Sequence, residues 1–336
     1  MTDLRNLLLE KIKENGSVTV AEYMALCLCH PEFGYYTTRN PFGAKGDFIT
    51  APEISQLFGE MIGVWTLGIL QQIDVSRGAA LVELGPGKGT MIADILRIIR
   101  KYPVYDSLEI HLVEISPYLE KLQRENLGQY AGKISWHRSI KTLPEIPMVI
   151  LANEFFDALP VSQFAGSKEV TIGAKSGEFY FSKGKGNISE HSLESVEIME
   201  SLAAKIMKNS GGILVIDYGY TEPTNKSTLQ AVKNHKFHDF LSGPGAADLT
   251  AHVNFFDLET AAEKHGLKVS GAVTQKNFLE NIGIRIRAEA LKKNANDSQR
   301  LKIDSALARL LDADKMGELF KVMATVSPKI KEIPGF

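Results

Sequence analysis

Leu81-Val-Glu-Leu-Gly-Pro-Gly-Lys-Gly89 joins a short apolar run to an acidic residue and a glycine-rich turn. The amphipathic segment Met91–Arg100 follows at once, so the pattern predicts a strand, a tight turn and a helix. Glycines at Gly85, Gly87 and Gly89 allow the backbone to bend sharply and to approach a ligand closely. The helix that follows directs free N–H groups at the turn, and we expect a nucleotide-like or carboxylate-bearing ligand there.

The spacing of this turn excludes two common phosphate-binding motifs. A dinucleotide fingerprint, Gly-x-Gly-x-x-Gly/Ala, counted from Gly85 would need its last position at Thr90. A P-loop would need glycine at Val82 and serine or threonine at Gly89. The remaining pattern, Glu-x-Gly-x-Gly-x-Gly from Glu83, resembles the first motif of class I S-adenosylmethionine-dependent methyltransferases. A purely structural joint between strand and helix is the alternative.

A second acidic residue follows the next predicted strand. The run from Leu108 stops at Glu114, and Ser116 and Pro117 begin another helix. A carboxylate at the carboxyl end of the second parallel strand can accept hydrogen bonds from ribose hydroxyls. A carboxylate that only stabilises a helix N-terminus is the alternative. Because Glu114 is paired with the glycine turn, we favour the ribose contact.

Composition limits the classes of protein to which the chain can belong. It has 336 residues, of which 44% are hydrophobic, and a formal net charge of −2. This length allows one large core or two modest ones, and the charge argues against nucleic acid as a partner. We expect no membrane insertion and no signal or transit peptide, hence a bacterial cytoplasmic protein, or a mitochondrial matrix protein if processed. Cys27 and Cys29 are predicted to be reduced core thiols.

Strand-like and helix-like segments alternate along most of the chain. We predict an N-terminal helical and lid region over residues 1–78 and a catalytic domain over 79–336, with insertions near 159–190 and 220–254. The first region ends in one long helix over Ala51–Ile73. Predicted strands of the sheet are Ala79–Leu84, Glu109–Glu114, Ile134–His137, Met148–Ala152, Gly212–Gly219, Leu267–Val273 and the apolar stretch Leu319–Val326, with a hairpin excursion over Val161–Ser182.

Two carboxylates follow the predicted fourth strand of the sheet. Glu154 and Asp157 are three residues apart, so a helical turn would place them on one side. Asn153 as a helix cap and Phe155 and Phe156 as core residues are the structural alternatives. Ligands of open α/β sheets bind beyond the carboxyl ends of the strands. Carboxylates at that edge, beside a sulfonium cofactor, would attract a cation.

Polar residues in the second insertion also alternate. Asp248, Thr250 and His252 are spaced by two, so they share one face if the segment is extended. A structural histidine is an equally good interpretation of His252.

The segment Gly46–Gly59 contains a predicted helix start with Thr50 as cap, Pro52 in the first turn and Glu53 completing a capping box. This assignment leaves Asp47 and Phe48 to form a lid over the cofactor.

Five segments, in this order, make the chain resemble the MidA family of S-adenosylmethionine-dependent methyltransferases, whose mitochondrial members assist assembly of respiratory complex I. They are Gly46–Gly59, Glu83–Thr90, Val113–Pro117, Asn153–Pro160 and Asp248–Val253. The sequence departs from the family pattern at Lys88, where arginine is usual, and at Asn254, where aspartate is usual.

The resemblance implies an α/β fold with a Rossmann-like, seven-stranded, mostly parallel sheet. It also implies S-adenosylmethionine as cofactor, no metal, and methylation of arginine in a protein, a complex I subunit in the mitochondrial branch. The expected cofactor-binding residues are Gly46, Asp47, Glu83, Gly85, Pro86, Gly87, Gly89, Glu114, Ile115, Ser116 and Asn153. The expected catalytic residues are Glu154, Asp157 and His252, with the two carboxylates gripping a guanidinium and the histidine relaying a proton.

Alternatives remain open from the sequence. The protein could be a small-molecule methyltransferase, or an assembly factor that binds cofactor only for structural integrity. An oxidoreductase that uses a nicotinamide cofactor is disfavoured by the spacing of the glycine turn. A homodimer through helices near Leu291–Leu311 is a further prediction, although amphipathic helices usually cover a core.

A substitution at the centre of the glycine turn tests the cofactor class. We expect Gly87→Val to abolish the micromolar binding of S-adenosylhomocysteine, because a branched side chain blocks close approach of the ligand to the backbone. Calorimetric titration of both proteins measures the affinity, and circular dichroism checks that the variant is folded. Undiminished binding by the variant would contradict the assignment of the turn.

Overall fold

The computed structural model describes residues 3–38, 47, 50–182, 186–222 and 224–336. Its helices are α1 (Leu4–Asn15), α2 (Val20–Cys29), α3 (Tyr35–Thr38), α4 (Ala51–Ile54), α5 (Gln56–Leu70), α6 (Thr90–Ile99), α7 (Pro117–Asn126), α8 (Leu193–Asn209), α9 (Phe255–Lys264), α10 (Gln275–Asn281), α11 (Ile284–Lys292), α12 (Asp297–Leu311) and α13 (Met316–Leu319).

The strands are mostly short, and the longest ones belong to one central sheet. They are β1 (Val18–Thr19), β2 (Ala79–Leu84), β3 (Leu108–Val113), β4 (Ile134–His137), β5 (Met148–Asn153), β6 (Ser162–Ala165), β7 (Lys168–Glu169), β8 (Thr171–Lys175), β9 (Glu178–Phe181), β10 (Ile188–His191), β11 (Gly211–Tyr220), β12 (Gln230–Lys233), β13 (Lys236–Phe237), β14 (Asp248–Thr250), β15 (Val253–Asn254), β16 (Lys268–Thr274) and β17 (Phe320–Val326).

The central sheet has the strand order β16-β17-β11-β5-β2-β3-β4, and the two-residue strand β15 pairs with the end of β11. Neighbours from β11 to β4 are parallel, whereas β17 is antiparallel to both β11 and β16. The predicted α/β fold with a seven-stranded, mostly parallel sheet is confirmed. From β2 the chain continues to β3 on one side of the sheet, whereas from β5 it reaches β11 on the other side. This reversal of strand order creates the crevice where such sheets bind ligands.

Both faces of the sheet are covered, because its central strands are apolar on both sides. Every residue of β2 is buried, and its side chains alternate between two clusters. Leu81 packs with α5 and α6, whereas Val82 packs with α8 and α9. The period of two that identifies this strand in the sequence therefore divides its side chains between two helical layers.

A third apolar cluster joins the N-terminal helices to both insertions. Leu8 of α1 and Met24 of α2 share it with Ile172 of β8 and Leu249 of β14. By contrast, α5, which also precedes residue 79, packs against the sheet. The domain division at 78/79 stays a prediction.

The predicted long helix over Ala51–Ile73 is interrupted. Ser55 is extended (φ −163°, ψ 140°) and separates α4 from α5, and its hydroxyl accepts a hydrogen bond from Leu57 N. Thr50 precedes α4 as predicted, but its side chain makes no capping bond, so the predicted capping box is wrong. The carboxylate of Glu53 bonds instead to Lys88 and Thr90, a tertiary contact that the local pattern does not contain.

Cys27 is a free, buried thiol as predicted. Cys29 is exposed at the end of α2 and lines a cavity, so its assignment to the core is wrong.

Gly46 and Phe48 lie outside the described residues. Among the helices that the structure describes, none combines the length and the apolar character needed to cross a bilayer.

Candidate active site

The carboxyl ends of β2, β3, β5 and β11 meet at a cavity of about 510 Å³. The predicted site residues that line it are Glu83, Gly85, Pro86, Gly87, Glu114, Ile115, Asn153, Glu154, Asp157 and His252. Side chains from α3, α4 and the second insertion complete its wall. A cavity at this edge of a parallel sheet is the position expected of a ligand site.

The glycine turn needs glycine for its backbone conformation. Gly85, Gly87 and Gly89 have φ values of 59°, 54° and 78°, in the left-handed region that favours glycine. A Cβ at Gly85 would lie 3.2 Å from the Phe155 ring, and one at Gly89 would lie 2.9 Å from Leu127. Gly89 precedes α6 as its cap residue and does not line the cavity, so the structure shows a backbone role for it.

Four buried acceptors in the cavity wall have no hydrogen-bond donor within the described part of the chain. Two of them, Oε2 of Glu83 and Oδ1 of Asn153, lie at the carboxyl ends of β2 and β5. Burial raises the pKa of Glu83 to about 8, opposed by a hydrogen bond from the backbone of Ile92 in α6. Unpaired buried acceptors are costly, so a ligand that brings N–H donors, such as the amino groups of S-adenosylmethionine, fits this end of the cavity.

Glu114 is held by two donors of the protein. Its Oε1 accepts from Ser116 N at 2.8 Å, and its Oε2 accepts from Gln123 Nε2 at 3.0 Å. An ionised carboxylate has about four acceptor positions, so two remain for ribose hydroxyls. Ser116 caps α7, where its hydroxyl accepts from Leu119 N, and it lies behind the cavity wall, whereas Ile115 lines the cavity.

The loop after β5 is a turn and not the helical turn that the spacing predicts. Glu154 is left-handed (φ 50°), and its N–H donates to the carbonyl of Ile216, which extends the pairing of β5 with β11. Asn153 is the last residue of β5 and caps no helix. Glu154 and Asp157 nevertheless line the same cavity, as predicted. Oε1 of Glu154 accepts from Ala51 N at 3.2 Å and from the Asn153 amide at 3.3 Å.

A buried aspartate that the sequence analysis missed shapes this turn. Oδ2 of Asp217 accepts from the backbone N–H groups of Phe156 and Asp157 at 3.0 and 3.2 Å. Asp217 is fully buried within the apolar strand β11. An aspartate inside an otherwise apolar strand was the available signal, because charged residues are seldom fully buried without a partner.

Three of the cavity-wall carboxylates lie together after β5 and in β14 without a cationic partner. Within the described residues, no lysine or arginine forms an ion pair with Glu154, Asp157 or Asp248. Burial and then the neighbouring Asp157 raise the pKa of Glu154 to about 8, and the same two causes raise that of Asp248 to about 8. Burial also raises the pKa of Asp157, opposed by hydrogen bonding from Tyr218. Tyr36 donates to Oδ1 of Asp248 at 2.7 Å.

The predicted face of the second insertion lines the cavity. Asp248 and Thr250 belong to β14, and His252 follows two residues later, with its N–H donating to Thr228 Oγ1 at 2.9 Å. The His252 ring packs edge-on against Tyr218 at 5.4 Å between centroids. Burial lowers the pKa of His252, so the ring is neutral at pH 7.

Glu53, predicted to complete a capping box with Thr50, contacts Lys88 and Thr90 instead. Its Oε2 pairs with Lys88 Nζ at 3.0 Å, and its Oε1 accepts from Thr90 Oγ1 at 2.5 Å. Both partners belong to the glycine turn and the start of α6. The structure thus joins α4 to the turn and keeps the cationic role of Lys88 at the position where the family usually has arginine.

Asp47 binds a hairpin of the second insertion. Its Oδ1 accepts from Asn234 N at 2.6 Å, its Oδ2 accepts from the Tyr35 hydroxyl at 2.7 Å, and its carbonyl accepts from His235 N at 3.0 Å. Asp47 is absent from the cavity wall in the part of the chain that is described. A direct contact of Asp47 with cofactor therefore stays a prediction.

Comparison with known proteins assigns the family. A family of S-adenosyl-L-methionine-dependent methyltransferases matches residues 61–184 and 170–273, which is more than half of the chain. The chain belongs to this methyltransferase family. The resemblance to the MidA family and the predicted cofactor, S-adenosylmethionine, are thereby confirmed.

Full-length relatives agree with this assignment. The chain is 36% identical to a mitochondrial protein arginine methyltransferase NDUFAF7 homolog of Drosophila melanogaster over 94% of this chain and 82% of the relative. It is 34% identical to the Homo sapiens NDUFAF7 over 96% and 83%. The crystal structure of a Burkholderia thailandensis protein bound to S-adenosyl-homocysteine superimposes with a TM-score of 0.86 at 28% identity, covering 99% of this chain and 93% of that one.

The buried carboxylates make the stability of the free enzyme depend on pH. Burial raises the pKa of Glu154 from its ordinary value of 4.5 to about 8. Between these values the folded protein holds a proton that the unfolded chain releases, so stability falls as pH rises from 4.5 to 8. We expect Glu154→Gln to raise the melting temperature at pH 8 and to flatten its decrease between pH 5 and pH 8, measured by calorimetry.

Glu145→Gln is the control for this measurement. Glu145 is exposed, and hydrogen bonds from Lys205, Lys208 and Asn209 lower its pKa to about 2, so its stabilisation is present above pH 4.5. This variant should leave the decrease between pH 5 and pH 8 unchanged. Equal pH slopes for wild type and Glu154→Gln would show that Glu154 is ionised in the free enzyme.

Proposed function

We propose that this methyltransferase transfers a methyl group to an arginine side chain of a protein. The observation that carries the proposal is the set of unpaired carboxylates, Glu154, Asp157 and Asp248, in the wall of the cavity that also contains the glycine turn. The relatives named above, which are protein arginine methyltransferases by name, support the same substrate class.

The chemistry of arginine matches this wall. Guanidinium stays protonated in proteins and presents five N–H donors in a plane, and carboxylates bind it in a bidentate manner. Oδ1 of Asp157 and Oγ1 of Thr250 are buried acceptors without a donor in the described residues, so both are available to such a ligand. Glu154 has one oxygen engaged by Ala51 N and Asn153, and its second oxygen is the proposed guanidinium contact.

The proposed mechanism assigns three tasks to the chain. The bound cofactor supplies a methyl group on a positively charged sulfur. Glu154 and Asp157 fix the guanidinium plane and aim one nitrogen. A nitrogen that gains a methyl group must release a proton. The guanidinium cation displaces the proton that Glu154 holds in the free enzyme, and the ionised carboxylate then accepts the released proton at its free oxygen. The neutral His252 ring relays the proton to solvent.

Asn254 takes no part in this mechanism. It pairs in β15 and precedes α9, outside the cavity wall formed by the described residues. Its difference from the aspartate that is usual in the family therefore leaves the proposed proton path intact.

The substrate protein is the finer part of the proposal. The resemblance to the MidA family supports a subunit of respiratory complex I. The compartment would then be that of the subunit, the bacterial cytoplasm or the mitochondrial matrix, and the named relatives are mitochondrial.

A homodimer also stays a prediction. Ile286 of α11 and Leu301 of α12 are 79% and 70% exposed, and sedimentation would measure the association.

Removing one carboxylate charge tests the arginine assignment. We expect Glu154→Gln to retain binding of S-adenosylhomocysteine and to lose about 100-fold or more in methyl transfer, because it can neither balance the guanidinium charge nor accept the proton. The measurement uses labelled S-adenosylmethionine with peptides from complex I subunits, each paired with its arginine-to-lysine counterpart, and Glu145→Gln is the control enzyme.

The outcomes separate the alternative functions. Transfer that disappears with the lysine peptides and with Glu154→Gln supports the proposal. Full activity of Glu154→Gln would overturn the assignment of Glu154. Cofactor binding without transfer to any arginine peptide would favour the non-catalytic assembly factor or a small-molecule substrate.

A further inference from the structure

Gln123 of α7 connects two parts of the cofactor cradle that are far apart in the sequence. Its Nε2 donates to the carbonyl of Gly87 at 2.8 Å and to Oε2 of Glu114 at 3.0 Å. The side chain is fully buried. One amide group thus spans the glycine turn after β2 and the carboxylate after β3.

The orientation of this amide follows from its partners. The carbonyl of Gly87 and the carboxylate of Glu114 only accept, so they require the NH₂ group. On the other side, Trp136 Nε1 of β4 donates to Oε1 of Gln123 at 3.0 Å, and an indole N–H only donates. The guanidinium of Arg124 lies over the Trp136 ring at 3.9 Å and covers it. Three partners therefore fix the amide in one rotamer and one flip state.

Among the described residues, Arg138 and Cys29 are charged or titratable groups that interact with Glu114. Burial raises its pKa to about 7, and hydrogen bonds from Ser116 N and Gln123, followed by the charge of Arg138, act in the opposite direction. The guanidinium of Arg138 donates to the Glu114 carbonyl at 3.0 Å. Cys29 at the end of α2 is the titratable neighbour. The residue is exposed, but its side chain lines the cavity, where desolvation and then Glu194 and Glu114 raise its pKa to about 11, so the thiol stays neutral below pH 9.

We infer that Gln123 is a positioning residue for the cofactor: it sets the distance between the glycine turn and Glu114 and favours the ionised form of the Glu114 carboxylate, which we expect to bind the ribose hydroxyls. Both tasks follow from the single NH₂ group, whose two hydrogens point to the two halves of the cradle. A carboxylate accepts stronger hydrogen bonds than a neutral carboxyl group does, so ionisation of Glu114 matters for ribose affinity. The inference concerns cofactor binding and is independent of the arginine proposal.

The test is the pH dependence of S-adenosylhomocysteine affinity between pH 5.5 and pH 8.5, measured by calorimetry. Wild-type affinity should rise as Glu114 ionises. Gln123→Leu keeps the approximate volume but removes the donor, and we expect about tenfold weaker binding at pH 7 and a midpoint shifted upward by about one pH unit. Glu83 also titrates in this range, with a pKa raised to about 8, in wild type and variants alike.

Gln275→Leu is the matched control. Gln275 is equally buried and donates to the Leu310 carbonyl at 2.9 Å, but it lies between α10 and α12, away from the cavity. This variant has the same loss of a buried amide and should keep wild-type affinity and midpoint. Trp136→Phe keeps an aromatic ring beneath Arg124 but removes the donor that orients Gln123, and it should shift affinity and midpoint in the same direction as Gln123→Leu by a smaller amount.

Each outcome decides the inference. Weaker binding with an upward midpoint in Gln123→Leu, together with a normal Gln275→Leu, supports it. Weaker binding with an unchanged midpoint would mean that Gln123 only packs, and unchanged binding would remove it from the cradle; both results overturn the inference. If Gln123→Leu does not fold, Trp136→Phe decides, because an unchanged affinity and midpoint in that variant overturns the inference as well.

Discussion

The cavity depends for its geometry on the hydrogen bonds of the Asp217 carboxylate, which is buried near the carboxyl end of β11. This carboxylate receives the N–H groups of Phe156 and Asp157 and so holds the chain after β5 in a turn with Glu154 left-handed. If a helix began here, these N–H groups would belong to its first turn and would have no intrahelical partner. The carboxylate of Asp217 accepts a hydrogen bond from each of them instead. The turn brings Glu154 and Asp157 to the same cavity wall without a helix.

Burying several carboxylates together has an energetic cost that binding can recover. Asp157 raises the pKa of both Glu154 and Asp248, Asp248 raises that of Glu154, and no cation of the described chain forms an ion pair with these three carboxylates. Folding therefore holds these groups partly protonated, and a cationic ligand stabilises their ionised form. The same arrangement that lowers the stability of the free protein at high pH is the one that we propose to bind a guanidinium.

The insertions form the second wall of the cavity, and the methyltransferase sheet forms the first. Apolar contacts of α1 and α2 with β8 and β14 form a separate cluster, and this cluster holds the extended segment that carries Asp248, Thr250 and His252. Asp47 strengthens the same assembly by binding the hairpin between β12 and β13. The cofactor side of the cavity thus belongs to the sheet, and much of the proposed substrate side belongs to the additions.

Local pattern in the sequence determined the sheet strands almost to the residue, the glycine turn and the acid at Glu114, because each depends on neighbours within a few positions. It could not determine the turn after Asn153 or the contact of Asp47, since their partners are distant in the chain. Gln123 is the clearest case: within Glu120–Asn126 it resembles a solvent-exposed helix residue, and only the packing of α7 against Gly87, Glu114 and Trp136 makes it a buried bridge. A hydrogen bond between distant segments leaves no periodic signal in a sequence, so tertiary structure alone decided it.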